Sequence, residues 1–431
     1  MHDDIKAVSA VPEKDHNNND IKPTEGHDSF HTPEEVAAHD GNGKIDGNPD
    51  NKIEGDVPQV KDKPLKPTGL NHTGPKKHRF WPLNKKQWII AGSSVAVLAI
   101  IVGGIVFVAS RHKPTVATIT RQQVHVTPPV KSNTVPSTLS GLPVNPSANA
   151  RPITAVMIEN TPAARPQSGL SQAGVVFEAL TEGGISRFMA LYQDQIPTNV
   201  GPVRSVRPYY IDWALGFDAP IAHDGGSPLA LSDLTAWGAK NLDQMYNPGP
   251  YTRISSRPAP HNLYASIPGL ISLEASNGWT SSNYNGWPRK ADAPSKNPNA
   301  ANIVFNLSYS TYNVQYTYDT ATNSYNRNED GAPQIDANNN QQLSPKVVIG
   351  MIVPYSLGPL DSSNAYYSVY QTIGTGQAYV FQDGTVTIGT WSKTSANAPL
   401  QFLDSSGQPI KLNAGQTWIT ALKSNQELTY N

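Results

Sequence analysis

Apolar residues are distributed along this chain in three regimes. In residues 1–75 they recur with no period, scattered among Asp, Asn, Lys, Pro and His. Such a segment cannot bury enough surface to offset its ordering entropy, so residues 1–87 read as a disordered tail with a basic end. From Trp88 to Ala109 (WIIAGSSVAVLAIIVGGIVFVA) the chain carries no charge. About 20 apolar residues at 1.5 Å each cross a bilayer core, so residues 88–110 are expected to form one transmembrane helix. Residues 111–150 hold Pro114, Pro128, Pro129, Pro136, Pro143 and Pro146 among Ser, Thr, Asn and Val. They read as an extended, semi-rigid linker.

The third regime begins near Arg151 with short apolar runs bounded by turn residues. Ile153–Ile158, Gly174–Leu180 and Arg187–Tyr192 read as strands, and Ala219–Ala222 as a shorter one. Tyr209–Phe217 has helical spacing just past Pro208, and a second helix is expected over Pro228–Trp237. Strands alternate with helices, which favours an α+β or α/β lobe over residues 151–295. Beyond residue 295 strands dominate: Ile303–Leu307, Val314–Tyr318, Lys346–Val353, Tyr366–Gln371, Gln377–Phe381 and Thr385–Trp391. Asp383-Gly384 between the last two is a hairpin signal. Residues 296–431 therefore read as a mainly β C-terminal lobe.

Charge orients the membrane span. Lys76, Lys77, Arg79, Lys85 and Lys86 precede it, and only Arg111 and Lys113 follow closely. The positive-inside rule then puts the N-terminus in the cytoplasm and the folded mass outside, in the cell membrane as a single-pass protein. Residues 1–75 carry 15 acidic and 8 basic side chains, whereas the C-terminal part is close to neutral. It has no basic stripe, which argues against nucleic acid as a partner. The chain has no cysteine. That excludes disulfides, thiol catalysis and Cys-ligated zinc, and leans toward a Gram-positive bacterium as the source.

Four polar groupings carry candidate chemistry. Glu182 follows a predicted strand at Gly183-Gly184, with Arg187 close behind, and is a candidate general acid or base or an ordinary turn carboxylate. Glu178 and Glu182 would be about 13 Å apart on a strand, too far for a glycosidase pair. Arg204 and Arg207 in Gly201-Pro-Val-Arg-Ser-Val-Arg-Pro208 read either as an anion clamp or as internal salt bridges to Glu159, Glu178 or Asp212. His223 in His223-Asp-Gly-Gly-Ser-Pro228 ends a strand before a helix, a favourable site position, with Asp224 beside it. His261 and Asn262 lie in the proline-braced loop Arg257–Tyr264. The histidine spacing fits no helical zinc motif. In the tail, Asp46–Ile53 mimics the start of a calcium loop, but Asn51 and Val57 stand where Gly and Glu are needed. No metal and no cofactor is expected.

At these groupings the chain resembles the DUF3048 proteins. The resemblance rests on Arg165–Leu170, Glu178–Arg187, Gly201–Pro208, His223–Pro228 and Pro260–Tyr264. It continues in Phe381–Val386, Gly389–Trp391 and Leu412–Trp418. It implies an extracytoplasmic, envelope-associated protein and no particular reaction. Members commonly look like lipoproteins held through a cysteine, and this chain has a helix-like segment instead. They commonly carry Asp where this chain has Gly174 and Ala where it has Asp224, which makes Asp224 a poor catalytic candidate. The expected roles are therefore Glu182 and His223 in catalysis, with Arg187, Arg204, Arg207, His261 and Asn262 binding ligand. The expected substrate is peptidoglycan or another wall glycan. The alternatives are a non-catalytic module binding wall polymer or wall-synthesis proteins, and phosphoryl transfer onto wall polymers.

Overall fold

The computed structural model describes residues 133–431. The expected tail (1–87), membrane span (88–110) and most of the linker lie outside the described residues. Among the described residues no helix is long and apolar enough to cross a membrane.

Three strands form the centre: β1 (Thr154–Glu159), β2 (Val175–Leu180) and β3 (Ser186–Tyr192), every residue of which is buried. Their near-continuous apolar sequences suit strands covered on both faces. Helix α1 (Pro208–Leu215) starts with proline at its first turn, where the missing N–H costs nothing. Strand β4 (Ile221–His223) leads to α2 (Pro228–Ala236), capped by the Ser227 hydroxyl accepting from the Ala230 amide. Next come β5 (Asn241–Asp243), the hairpin β6 (Tyr251–Arg253) and β7 (Leu263–Ala265), and α3 (Ile267–Ser276).

The rest is almost all strand: β8 (Asn302–Phe305), β9 (Val314–Asp319), β10 (Ser324–Glu329) and β11 (Val347–Ile352). A hairpin follows, β12 (Tyr355–Leu360) and β13 (Tyr366–Tyr370), then β14 (Gly374–Gln382) and β15 (Thr385–Lys393). Strands β16 (Gln401–Leu403), β17 (Thr417–Leu422) and β18 (Leu428–Tyr430) complete the chain. The region beyond residue 295 is mainly β, as expected.

One ten-stranded sheet runs through the whole unit in the order β16-β15-β14-β11-β17-β2-β3-β1-β4-β5. Five of its strands precede residue 295 and five follow it, so the two lobes expected from sequence share a single sheet. They join where β17 pairs in parallel with β2, Trp418 opposite Val176 and Thr420 opposite Glu178. On one face α1 packs, with Trp213 stacked on Phe177 at 5.0 Å between ring centroids. On the other lies an antiparallel sheet of β10, β9, β8 and β18, with Ala332–Pro333 at its edge.

Between these sheets sits a fully buried ionic cluster. The Arg327 guanidinium donates to Glu178 (2.7 Å), Gln334 (2.6 Å) and the Tyr316 hydroxyl (3.2 Å). It lies 4.3 Å from the Trp418 ring centroid. Trp418 also donates its indole N–H to Glu178, at 3.1 Å. Glu178 thus faces away from Glu182.

The hairpin signal Asp383-Gly384 forms the two-residue turn between β14 and β15, with φ of 57° and 74°. The Asp383 carboxylate accepts from Asn323 and Asn413 and pairs with Lys290. Burial pushes this carboxyl up, but the hydrogen bonds outweigh it and hold it down at about 2.

The linker expectation requires correction over its last part. Val135–Pro136 pairs with Pro143–Val144, and Leu139 is completely buried. Leu139 rests on Gly174, where a β-carbon would meet its Cδ2 at 2.7 Å. Prolines mark this stretch, but it is strapped across the end of the fold and is no spacer.

Candidate functional site

Strand β3 starts immediately after the turn Glu182-Gly183-Gly184, whose two glycines hold φ of 61° and 73°. That turn lets Glu182 double back beside Arg187. Directly across the ladder from Arg187 is Glu159, the last residue of β1, so both side chains leave the same face of the sheet. The segment from Val200 to Val206 runs alongside, bridged at Ile158–Val203 and at Val206–Gly226. It delivers Arg204 and Arg207 to this end of the sheet, and Arg207 is the residue before α1.

The arginines divide into two matched pairs and one remainder. Arg207 grips Glu182 with two nitrogens in a bidentate fork. Burial pushes the Glu182 carboxyl up, but the Arg207 hydrogen bonds and charge, with the nearby Arg187 charge, overcome this and leave it lowered. Glu182 is therefore an ionised, occupied carboxylate. Arg204 lies 3.3 Å from Glu159, whose carboxylate also accepts from His261 Nδ1 at 3.0 Å and from Thr161 at 3.0 Å. Arg187 has no carboxylate within ion-pair distance among the described residues. Its Nη1 donates to the Ser205 carbonyl at 2.7 Å, while its buried Nε has no partner. Burial first, and the adjacent Arg207 cation second, push Arg187 down to about 10.

His223 stands apart from this group. It is completely buried at the end of β4, with Nδ1 2.8 Å from the Gly225 carbonyl and Nε2 2.9 Å from Asn241 Oδ1. Burial lowers its pKa, which favours the neutral ring. Nε2 faces Asn241 on β5 and Nδ1 faces the Gly225 carbonyl in the loop after β4, and the single N–H of a neutral ring serves one of the two; this enclosure favours a structural role for His223 over the catalytic one expected. Asn262 also serves the fold: its side-chain amide donates to the Ile254 carbonyl at 3.1 Å, and its Oδ1 accepts from Arg253. Arg253 holds Asp224 in turn, at 3.1 Å. Among the described residues no three His, Asp or Glu side chains come together as a metal site.

Beside Arg207 opens a cleft of about 620 Å³. One wall is Tyr209, Asp212 and Leu229 from α1 and α2; the other is Leu360 and Tyr367 from the β12–β13 hairpin. The Tyr367 ring centroid lies 5.8 Å from the Arg207 guanidinium carbon. Leu229 and Leu360 are exposed at the rim. Asp212 accepts from Thr372 at 2.5 Å, its second oxygen is unpartnered, and burial raises its pKa. The hairpin is anchored by the Ser368 hydroxyl donating to the Thr181 carbonyl and the Leu180 amide donating to the Tyr370 hydroxyl. Of the internal partners that the sequence offers the two arginines, Glu159 is the one the structure pairs with Arg204. Nothing in the sequence pointed to Tyr367 and Leu360, which reach Arg207 from about 150–160 residues further along the chain.

The unit is an α+β domain in which one sheet carries both halves, and its cleft opens beside the Arg207–Glu182 pair. Residues 139–280 match the family described as "Protein of unknown function (DUF3048) N-terminal domain", and residues 303–419 match its C-terminal domain. The chain is similar to YerB of Bacillus subtilis (strain 168), provisionally designated a lipoprotein. The two are 30% identical over 287 residues, covering 65% of this chain and 84% of that one. The crystal structure of YerB superposes with a TM-score of 0.62 at 26% identity, over 69% of this chain and 99% of the other. The chain belongs to the DUF3048 family.

Proposed function

We propose that this chain is a binding module of the cell envelope, held at the membrane, whose cleft takes a segment of an anionic wall polymer. The lipoprotein designation of its Bacillus relative supports an envelope location. The uncharged stretch 88–109 supports anchoring by a membrane helix with the folded part outside. The observation that carries the binding reading is the saturated state of the candidate acid. Arg207 holds Glu182 ionised, so it has no proton to give a glycosidic oxygen, while the cleft keeps apolar walls around a guanidinium floor.

The test is retention of the purified full chain, kept in mild detergent, on isolated cell walls. The expected result is saturable retention without release of soluble fragments, reduced at least tenfold in Leu229→Asp/Leu360→Asp. Absence of retention would overturn the reading.

Cleavage of wall glycan is a second reading, favoured by Asp212. Its carboxyl faces the cleft and is raised by burial, as a general acid requires. Release of fragments by the wild type and its loss in Asp212→Asn would select this reading over the first.

A further inference from the structure

The charges at the end of β1 and β3 do not balance. Arg187, Arg204 and Arg207 supply three cations, and Glu159 and Glu182 supply two anions. The remaining groups nearby do not make up the difference. His261 spends Nδ1 on Glu159, and Asp361, an ionised carboxylate that feels the Arg207 charge, stands at the hairpin tip where solvent screens it. Asp212 accepts from Thr372, and the cation it feels is Lys393 rather than one of these arginines. The excess falls on Arg187, which is nine-tenths buried. A buried guanidinium is normally satisfied by carboxylates or several carbonyls. Among the described residues Arg187 has one carbonyl partner, and its buried Nε has none.

We propose that Arg187 and Arg207 together receive a single negative charge of the ligand, a monoanionic oxyanion of the carboxylate or phosphodiester kind. This inference rests on the binding-module reading and locates its polar contact. Among the buried and half-buried groups of this sheet end one cation is in excess, which a single charge balances and a neutral sugar alone would leave unmatched. Guanidinium forks bind two oxygens of one oxyanion side by side, which selects for planar or tetrahedral oxyanions over isolated hydroxyls. Glu182 is then the internal occupant of Arg207, a carboxylate that the ligand's oxyanion partly displaces. The apolar walls of the cleft, Tyr209, Leu229, Leu360 and Tyr367, would hold the chain that carries the charge.

Calorimetry on the full chain tests this with four probes: an oligomer of glycerol phosphodiester, a pentapeptide with a free C-terminal carboxylate, the same peptide amidated, and a neutral N-acetylglucosamine tetramer. At least one of the first two is expected to bind, with the neutral probes at least tenfold weaker; which one binds identifies the source of the charge. Arg187→Gln is expected to weaken that binding at least tenfold, and Arg187→Lys less. Glu182→Gln, by freeing Arg207, is expected to tighten it at least threefold, a direction opposite to that of a merely structural Glu182. If Arg187→Gln does not fold, the lysine and Glu182 variants decide. Failure of both anionic probes, unchanged binding in Arg187→Gln, or weaker binding in Glu182→Gln overturns the proposal. Walls retained equally by wild type and Arg187→Gln would refute this inference while sparing the binding-module reading.

Discussion

Replacing Arg327 by methionine tests whether the two halves of the chain are held together by their buried ionic cluster. The guanidinium is wholly enclosed and makes three side-chain hydrogen bonds, one of them to the Glu178 carboxylate. It also lies over Trp418, with Phe188 and Tyr316 at 5.5 and 5.6 Å. Methionine fills most of the aliphatic space but leaves Glu178 and Glu329 without their shared cation. Stranding a buried charge in this way costs about 3–5 kcal/mol. The lost cation–π contact adds about 1–2 kcal/mol, offset in part by the easier burial of a thioether. The expected loss is about 4 kcal/mol, a large share of the ~5–15 kcal/mol that folds a typical domain.

Guanidinium denaturation measures it, followed by both tryptophan fluorescence and circular dichroism. Trp418 lies against the perturbed site, while the circular dichroism reports the whole sheet. Because that sheet is continuous, both signals should move together to a lower midpoint. In Glu178→Gln/Arg327→Met both charges are gone, so the double variant should be at least ~2 kcal/mol more stable than the sum of the single losses predicts. A loss below ~1 kcal/mol in Arg327→Met, or strict additivity in the double variant, would refute the reasoning.

Glu274 supplies a pH test: burial raises its carboxyl from the usual 4.5 to about 7, with Thr154 donating to one oxygen and the other unpartnered. A raised folded pKa means that the stabilising contribution is full below about pH 4.5 and lost as pH rises to about 7. Glu274→Gln should remove that slope in pH-dependent melting and gain up to about 3 kcal/mol above pH 7. Leu139→Ala should cost about 2–4 kcal/mol in denaturant titration, because it empties a completely buried site in the strap. Gly384→Ala should lower the melting temperature by the equivalent of about 1–3 kcal/mol, since φ is 74° and the new methyl would meet Tyr318 Cε1 at 2.6 Å.

The central strands were legible because burial on both faces leaves an unbroken apolar run: Ile153–Ile158 and Gly174–Leu180 match β1 and β2 within a residue. The helix after Pro208 and the Asp383-Gly384 turn were legible from local chemistry. Strand β10 was not, because Ser-Tyr-Asn-Arg-Asn-Glu looks like a surface loop when its partners are unseen. Its arginine and glutamate are buried only because Glu178 and Asn160, some 150 residues earlier, wait opposite them. The arginines of the candidate site were visible as a motif, with Glu159 among their possible internal partners, but the pairing of Arg207 with Glu182 was not. Whether Arg204 and Arg207 clamp a ligand or bridge internally depended on Glu159 and Glu182, and the structure has them bridge, leaving Arg187 over. His223 looked like a site residue from its position before a helix, a signal that cannot distinguish an open strand end from one closed by Asn241.

Strand β17 sits in the middle of the ten-stranded sheet yet is made from residues 417–422. A ribosome has therefore synthesised both β11 and β2 before the strand that joins them exists. Until then β2 presents a bare parallel edge, and the first half cannot mature as an independent piece. A premature stop before residue 417 is therefore expected to leave that edge of β2 unpaired, and with it the sheet end that carries an arginine cluster encoded two hundred residues upstream.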